Sequence, residues 1–450
     1  MILYLQFIHF SSDDRVIQTI YNVWKEEIIV SKKAVSLYTI KVSAGGKDFS
    51  AYLQDLSIST TIKRSLQIIN MTLNLNREQY NSFLMPYKDA LKLEIQSSKG
   101  MSGDNSAPDV DASFSYDLCI IEEDGSQSGT TAPNGSSPST AMHLTCVVNK
   151  TFKVHQKMLK NKVFIEKSRK DIVDEILAGS KHVIESKMFK EGEPIDQIFL
   201  PPLRQVAALK HISHYCGLFE DAKPIYINYS IDGTIYLGSC IKNDKKPLKL
   251  YYSTDPENVD KSIGVHSKNA KAYDYLVINA IHDTKTYNST CAAVGKKQSY
   301  CYNPMNKLFS RVVKKLNEYS PKLSMSNIYG DDPKVGNHIK KTNDKEMWFK
   351  AHNGLPNVDD DSDNDVFGEN YITEHTNQAV SLMITLDGSI KFEDFIYPGR
   401  LIKMTSDLNS IKYNGDYYLA ASELHFKTEG SFWSGSCSIT ANTSIKLSNT

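Results

Sequence analysis

From Gln378 to Lys446 the chain reads QAVSLMITLDGSIKFEDFIYPGRLIKMTSDLNSIKYNGDYYLAASELHFKTEGSFWSGSCSITANTSIK. Short apolar–polar alternations lie around Leu386-Asp387-Gly388, Tyr397-Pro398-Gly399-Arg400 and Tyr413-Asn414-Gly415-Asp416-Tyr417-Tyr418, and the run ends in Phe432-Trp433. Period-two alternation is the strand signature. Pro followed by Gly re-aims a chain between strands, and Asn-Gly is a strong hairpin signal. The block therefore predicts short strands with chemically specified turns, and nothing in it is placed for catalysis.

The same signature recurs near the start. Leu37 to Val42, Phe49 to Ile58, Leu66 to Leu75 and Leu91 to Ile95 read as strands, with a turn at Ala44-Gly45-Gly46. Asn76 caps a short helix, Arg77 to Leu84, that Pro86 stops. Two polar stretches, Ser97 to Ser113 and Asp124 to Thr140, read as long loops around a strand at Tyr116 to Ile121, and a strand from Met142 to Val154 closes the region. Residues 12 to 29 read as a helix, with Val16, Ile20, Trp24 and Ile28 on one face.

The middle reads as α+β. Ser168 opens a helix through Ile172, Val173, Ile176 and Leu177 that Gly179 ends. Pro201-Pro202 leads into a second, with Leu203, Val206, Leu209, Ile212 and Cys216 on one face and Gly217 at its end. A hairpin follows with its turn at Asp232-Gly233. Beyond it, Tyr273 to Asn279 reads as a strand, and Asn303-Pro304 as the start of a helix carrying Leu308, Val312 and Leu316. Residues 320 to 370 are polar and broken by Gly and Pro.

With 450 residues the chain can bury two to four cores. Its 52 Lys and Arg balance 52 Asp and Glu, so no global field draws it to nucleic acid or acidic lipid. The seven cysteines contain no C-x-x-C pair and read as reduced thiols. The apolar start, Met1 to Ile8, is too short to span a bilayer and reads as a strand or docked terminus; no transmembrane helix is expected.

The motifs that could carry chemistry have plainer readings. Asp359, Asp361, Asp363 and Asp365 have calcium-loop spacing, but Asn364 stands where the loop needs Gly and Asn370 where it needs Glu, so a solvated acidic loop is expected. His211 and His214 lack further metal ligands and read as packing or surface histidines. Gly295-Lys296-Lys297 lacks the upstream Gly of a phosphate loop. Lys307, Arg311, Lys314 and Lys315 read as the solvated face of the helix after Pro304. No catalytic, cofactor-binding or metal residue is assigned.

Three features together carry a resemblance. They are Asp55-Leu56-Ser57-Ile58 followed by Leu66 to Leu73; Phe164 to Leu177 followed by Pro202 to Phe219 and its hairpin; and the ordered turns of the terminal block. The chain resembles the central baseplate hub of contractile-tailed phages, a family related to the hub part of VgrG-type spikes. The resemblance implies an α+β, β-rich fold with two tail-tube-like β-barrel domains and a helix-containing middle region. Its divisions would be 1–34, an extension; 35–158, the first tube-like domain; 159–241, an α+β hub domain; 242–370, a loop-rich insertion; and 371–450, the second tube-like domain. It implies a non-enzymatic homotrimer in the virion baseplate, assembled in the host cytoplasm and without cofactor. Its partners would be the tail tube protein, the central spike protein and other baseplate proteins, with DNA and tape-measure protein passing through the lumen. The rival readings are a cell-wall hydrolase of the tail tip and a hub of a type VI-like injection system.

Overall fold

The computed structural model describes residues 37–98, 110–127, 140–187, 189–192, 194–219, 225–240, 245–252, 273–283, 296–303, 308–317, 347–351, 381–386, 394–406, 414–429, 432–443 and 446–449. The first region forms β1 (Leu37–Ala44), β2 (Lys47–Asp48), β3 (Leu53–Thr61), β4 (Arg64–Leu75), β5 (Leu91–Ser98), β6 (Val110–Gln127) and β7 (Thr140–Val148). The middle adds α1 (Asn149–His155), β8 (Lys162–Ser168), α2 (Arg169–Ile176), β9 (His182–Ile184), β10 (Pro194–Leu200), α3 (Gln205–Cys216), β11 (Ile225–Tyr229) and β12 (Ile235–Ser239). There follow β13 (Leu248–Tyr252), β14 (Tyr275–Asp283), β15 (Lys296–Asn303), β16 (Leu308–Asn317), β17 (Met347–Ala351), β18 (Ser381–Leu386), β19 (Leu401–Ser406), β20 (Gly415–Glu429), β21 (Phe432–Thr443) and β22 (Lys446–Asn449). The fold is strand-rich α+β, as the sequence led us to expect.

Thirteen strands share one sheet, and its hydrogen-bonded order returns to its start twice. One circuit runs β1-β5-β6-β7-β4-β3-β20-β21 and closes where Leu37 and Tyr38 pair with Ser434 and Trp433. The other runs β20-β19-β13-β14-β18-β21. Both use the long β20–β21 hairpin, and one continuous apolar core fills their inward faces. Strands β13 and β14, from the stretch read as an insertion, are bonded to β19 and β18 of the terminal block.

The hairpin serves both circuits because its edges change partner. Residues 415–418 of β20 pair with β19, and residues 421–427 pair with β3. The change falls on Ala420, an extra residue between Leu419, opposite Ala441, and Ala421, opposite Thr440. A bulge bends the strand and shifts side-chain parity. Before it the odd residues Tyr417 and Leu419 face the core; after it the even residues Leu424 and Phe426 do. Gly435, on β21, lies so close to Tyr38 that a Cβ there would overlap the ring.

The middle block has its own core, built from β8, β10, α2, α3, β11 and β12. The Ser168 hydroxyl caps α2 by accepting from the Asp171 amide. Gly217, at φ 65°, ends α3 as expected. Asn76 and Gln79 form a reciprocal capping box, each side-chain oxygen accepting from the other's amide at 2.7 and 2.9 Å. Arg169 is buried, and its guanidinium donates to the carbonyls of Gly217 (2.8 Å) and Cys216 (3.0 Å), where the α3 dipole favours a cation.

Three expectations are corrected. Leu308 to Leu316 is strand β16, paired with β15 so that Asn303 faces Leu308. A spacing of four fits period two as well as a helix, and the adjacent Val312 and Val313 favour a strand. The basic positions Arg311, Lys314 and Lys315 therefore share no helix face. Gly415 is already in β20, opposite Met404, so Asn414-Gly415 is not a two-residue turn. The Asn414 side chain instead accepts from the Ser406 amide and hydroxyl. Residues 149–155 form helix α1 where a strand was expected, with the Thr151 hydroxyl donating to the Val148 carbonyl. The expected helix at 12–29 and the acidic run 359–365 lie outside the described residues.

Arg169→Ala strips the charged donor from the end of α3. It is expected to cost about 2–4 kcal/mol, read as a lower denaturant midpoint, and Arg169→Lys should recover part of the loss. An unchanged midpoint for the alanine variant would show that water replaces the guanidinium.

Candidate assembly junction

Asp394 to Arg400, the stretch around Tyr397-Pro398-Gly399, is where the two strand circuits and the middle block meet. Phe395 and Ile396 are buried in the main core, which supplies the apolar anchor. The backbone carbonyls of the loop are then met one by one from distant elements. The Ser422 hydroxyl of β20 donates to Phe395 O and is bonded to Thr60 of β3 at 2.7 Å. Gln67 Nε2 of β4 donates to Ile396 O (3.0 Å) and Asn228 Nδ2 of β11 to Pro398 O (3.1 Å). Gly399 donates to Leu419 O at 2.7 Å, and the Leu419 amide returns a bond to Arg400 O at 2.8 Å. These donors are buried or nearly so, so each bond also removes an unmet backbone acceptor.

Charge closes the ends of the loop. Asp394 accepts from the Tyr275 hydroxyl of β14 and pairs with Arg400, whose Nε also reaches Lys246 O at 2.9 Å. Gly399 has φ +90°, and a Cβ there would overlap the Tyr226 ring of β11. Tyr226, Cys240, Tyr418 and Ala420 form a small separate core between the middle block and the hairpin.

Beside this core Lys245 Nζ sits 5.4 Å from the Tyr397 ring, 5.6 Å from Tyr226 and 5.7 Å from Tyr236. Glu185 pairs with it at 3.0 Å and also accepts from the Tyr226 hydroxyl at 2.8 Å. Three ring faces and a carboxylate around one ammonium tie the loop to β11, β12 and the chain after β9. Burial first, and then the neighbouring Tyr236 and Asp232, push the Tyr397 phenol up to about 12, so it stays neutral.

The seam between the β3–β4 hairpin, β11 and this loop is a partly open crevice lined by Arg64, Gln67, Asn228, Tyr229 and Tyr397, too tight to admit a water molecule. It is therefore no small-molecule pocket. Tyr229 is buried there with no hydrogen-bond partner for its hydroxyl among the described residues, and burial raises its phenol. It packs edge-on against His155, whose Nδ1 lies 3.4 Å from Ser65 Oγ. Burial, then the nearby charges of Arg204 and Lys210, lower the His155 pKa.

The residues singled out in the sequence lie elsewhere. His211 Nε2 meets the Phe199 carbonyl at 3.2 Å, and both His211 and His214 pack on Tyr215, so they are packing histidines. Among the described residues five cysteines are buried and in no disulfide, and burial pushes the Cys146 thiol up to about 12, away from thiolate chemistry. Among the described residues no group of three or more His, Cys, Asp or Glu is placed to hold a metal, and no helix is long and apolar enough to cross a membrane.

The eight-strand and six-strand circuits, tied at one loop to an α/β block, are similar in fold to a solved tail protein. The chain superposes on the tail protein from Neisseria meningitidis MC58 with a TM-score of 0.53 and 11% identity, over 90% of this chain and 96% of that one. On the 43 kDa tail protein of prophage MuSo2 from Shewanella oneidensis the TM-score is 0.49 at 10% identity, over 90% and 96%. On a chain of the half-lidded Francisella PdpA–VgrG complex it is 0.44 at 10%, over 91% of this chain and 58% of that one. No family model matches the sequence, and no curated protein does.

Gly399→Ala forces a side chain into Tyr226 at a left-handed backbone position. A loss of about 2–4 kcal/mol in unfolding free energy is expected. His155 gives a pH signature. Its folded pKa lies below the unfolded value of about 6.5, so its contribution is present above that value and lost as pH falls through the folded pKa. His155→Gln should flatten the stability–pH curve below about pH 6.5; a curve parallel to wild type would refute the assignment.

Proposed function

We propose that the chain is a structural, non-enzymatic component of a contractile tail: the central baseplate hub, a homotrimer that adapts a six-fold tail tube to a three-fold spike. The observation that carries this reading is the pair of strand circuits joined through one hairpin. Each circuit is a barrel-like unit of the tube type, one centred on 35–158 and the other on 371–450 with β13 and β14 added. Two per chain and three chains make six similar units in a ring, while the assembly as a whole keeps three-fold symmetry. The fold likeness to a tail protein supports the same setting.

On this reading the middle block, 159–241, widens the ring into a cup that grips the central spike protein. The ring stacks on the tail tube protein and contacts other baseplate proteins, and DNA and tape-measure protein pass through its lumen. The junction loop fixes the angle between cup and ring, because it is bonded to both circuits and to the middle block at once. The protein then acts in the virion after assembly in the host cytoplasm.

The test is the mass of the purified full chain, alone and mixed with the tube and spike proteins of the same particle. The expected result is a particle of three 50.7 kDa chains. A chain that stays monomeric even with both partners present would overturn the hub.

A further inference from the structure

The neutral balance of the whole chain hides one strongly polarised stretch. Between residues 149 and 170 there are eight Lys and Arg against Glu166 alone. Part of this charge is used internally: Lys162 pairs with Glu175 and Lys170 with Glu191, Lys157 donates to Ala178 O, and Arg169 is buried. Lys153, Lys160 and Lys167 are exposed and in no ion pair among the described residues.

The surroundings add to the field. Met158 bridges to Arg204, which is exposed, and the Leu159 amide bonds to Leu203 O. Arg204 and Lys210 are near enough to His155 to disfavour its charged form.

The same stretch exposes large apolar side chains. Met158 is 57% exposed, Val163 44% and Ile165 61%. Val163, Ile165 and Lys167 alternate along β8 on the side opposite Phe164, which faces the core of the middle block. Among the described residues β8 pairs only with β10 and has no strand on its other edge. Exposed apolar residues interspersed with cations mark a protein contact: such interfaces have an apolar centre, a polar rim and an excess of Met and Arg. A nucleic-acid surface would be more uniformly polar and basic.

We propose that the face from Lys153 on α1, through Met158, to Lys167 on β8, flanked by Arg204, docks a second protein whose contact surface is acidic at the rim and apolar at the centre. The proposal goes beyond the hub reading and does not depend on it, since it rests on this surface alone.

The probes are fluorescein-labelled poly(Glu,Tyr), poly-Glu and a duplex DNA of similar charge, titrated with the full chain at low and at physiological salt. Wild type should bind poly(Glu,Tyr) more tightly than either of the others. The triple variant Lys153→Glu, Lys160→Glu, Lys167→Glu should weaken binding of both polypeptides by about tenfold or more, with a reduced salt dependence. Met158→Ser with Ile165→Ser should weaken poly(Glu,Tyr) alone. The single variants Lys160→Glu and Arg204→Glu carry the same test if the triple variant misfolds. Tighter binding to DNA, poly(Glu,Tyr) binding that survives charge reversal, or no binding at low salt would overturn the proposal. Each variant's oligomeric mass is measured alongside, with and without the tube and spike proteins: a wild type that stays monomeric even with both present refutes the hub and leaves this surface standing, whereas lost binding at unchanged mass concerns the surface alone.

Discussion

One extra residue sets the geometry of the chain. Ala420 lets a single strand finish with β19 and begin with β3 without breaking its ladder to β21. Its carbonyl is still met, by the Ile62 amide at 2.9 Å, so the bulge leaves no buried acceptor unpaired. Without the parity change it introduces, Leu424 and Phe426 on one side or Tyr417 and Leu419 on the other would turn out of the core. Burying large apolar side chains of this kind stabilises by about 1.5–3 kcal/mol each, far more than one bulge costs.

The junction loop builds on that switch. It lies against Leu419, just before the bulge, and draws side-chain donors from β4, β11 and β20, the last of them bonded in turn to Thr60 of β3. Apolar burial of Phe395 and Ile396 sets its depth, and directional bonds set its angle. Lys245 adds an attraction that tolerates small displacements, because ring faces impose less geometry than a carbonyl does. Rigid and compliant ties thus sit side by side where three parts meet.

Much of the fold was legible. Strands β1, β3, β4 and β5 follow their alternation, and α2 and α3 follow their caps, because the signals are local. Leu308 to Leu316 misled because one spacing satisfies two periods and Asn-Pro opens helices and turns alike. Gly415 misled because a turn dipeptide says nothing of where its strands pair. The turn at Tyr397-Pro398-Gly399 could be read, but its partners Gln67 and Asn228 could not: nothing local to an amide side chain names a carbonyl more than a hundred residues away. The bulge was invisible for the same reason, since it exists only relative to β21.

The closure of the first circuit ties Tyr38 to Trp433 and Leu37 to Ser434. Nearly four hundred residues lie between those partners, so this contact forms only after all of them have been synthesised. Until β20 and β21 arrive, β1 and β3 are sheet edges with unpaired backbone groups, a state open to pairing with other chains. Topologies dominated by such distant pairings fold slowly. The shared hairpin therefore sets an order of events: the first circuit cannot close until translation has delivered β20 and β21.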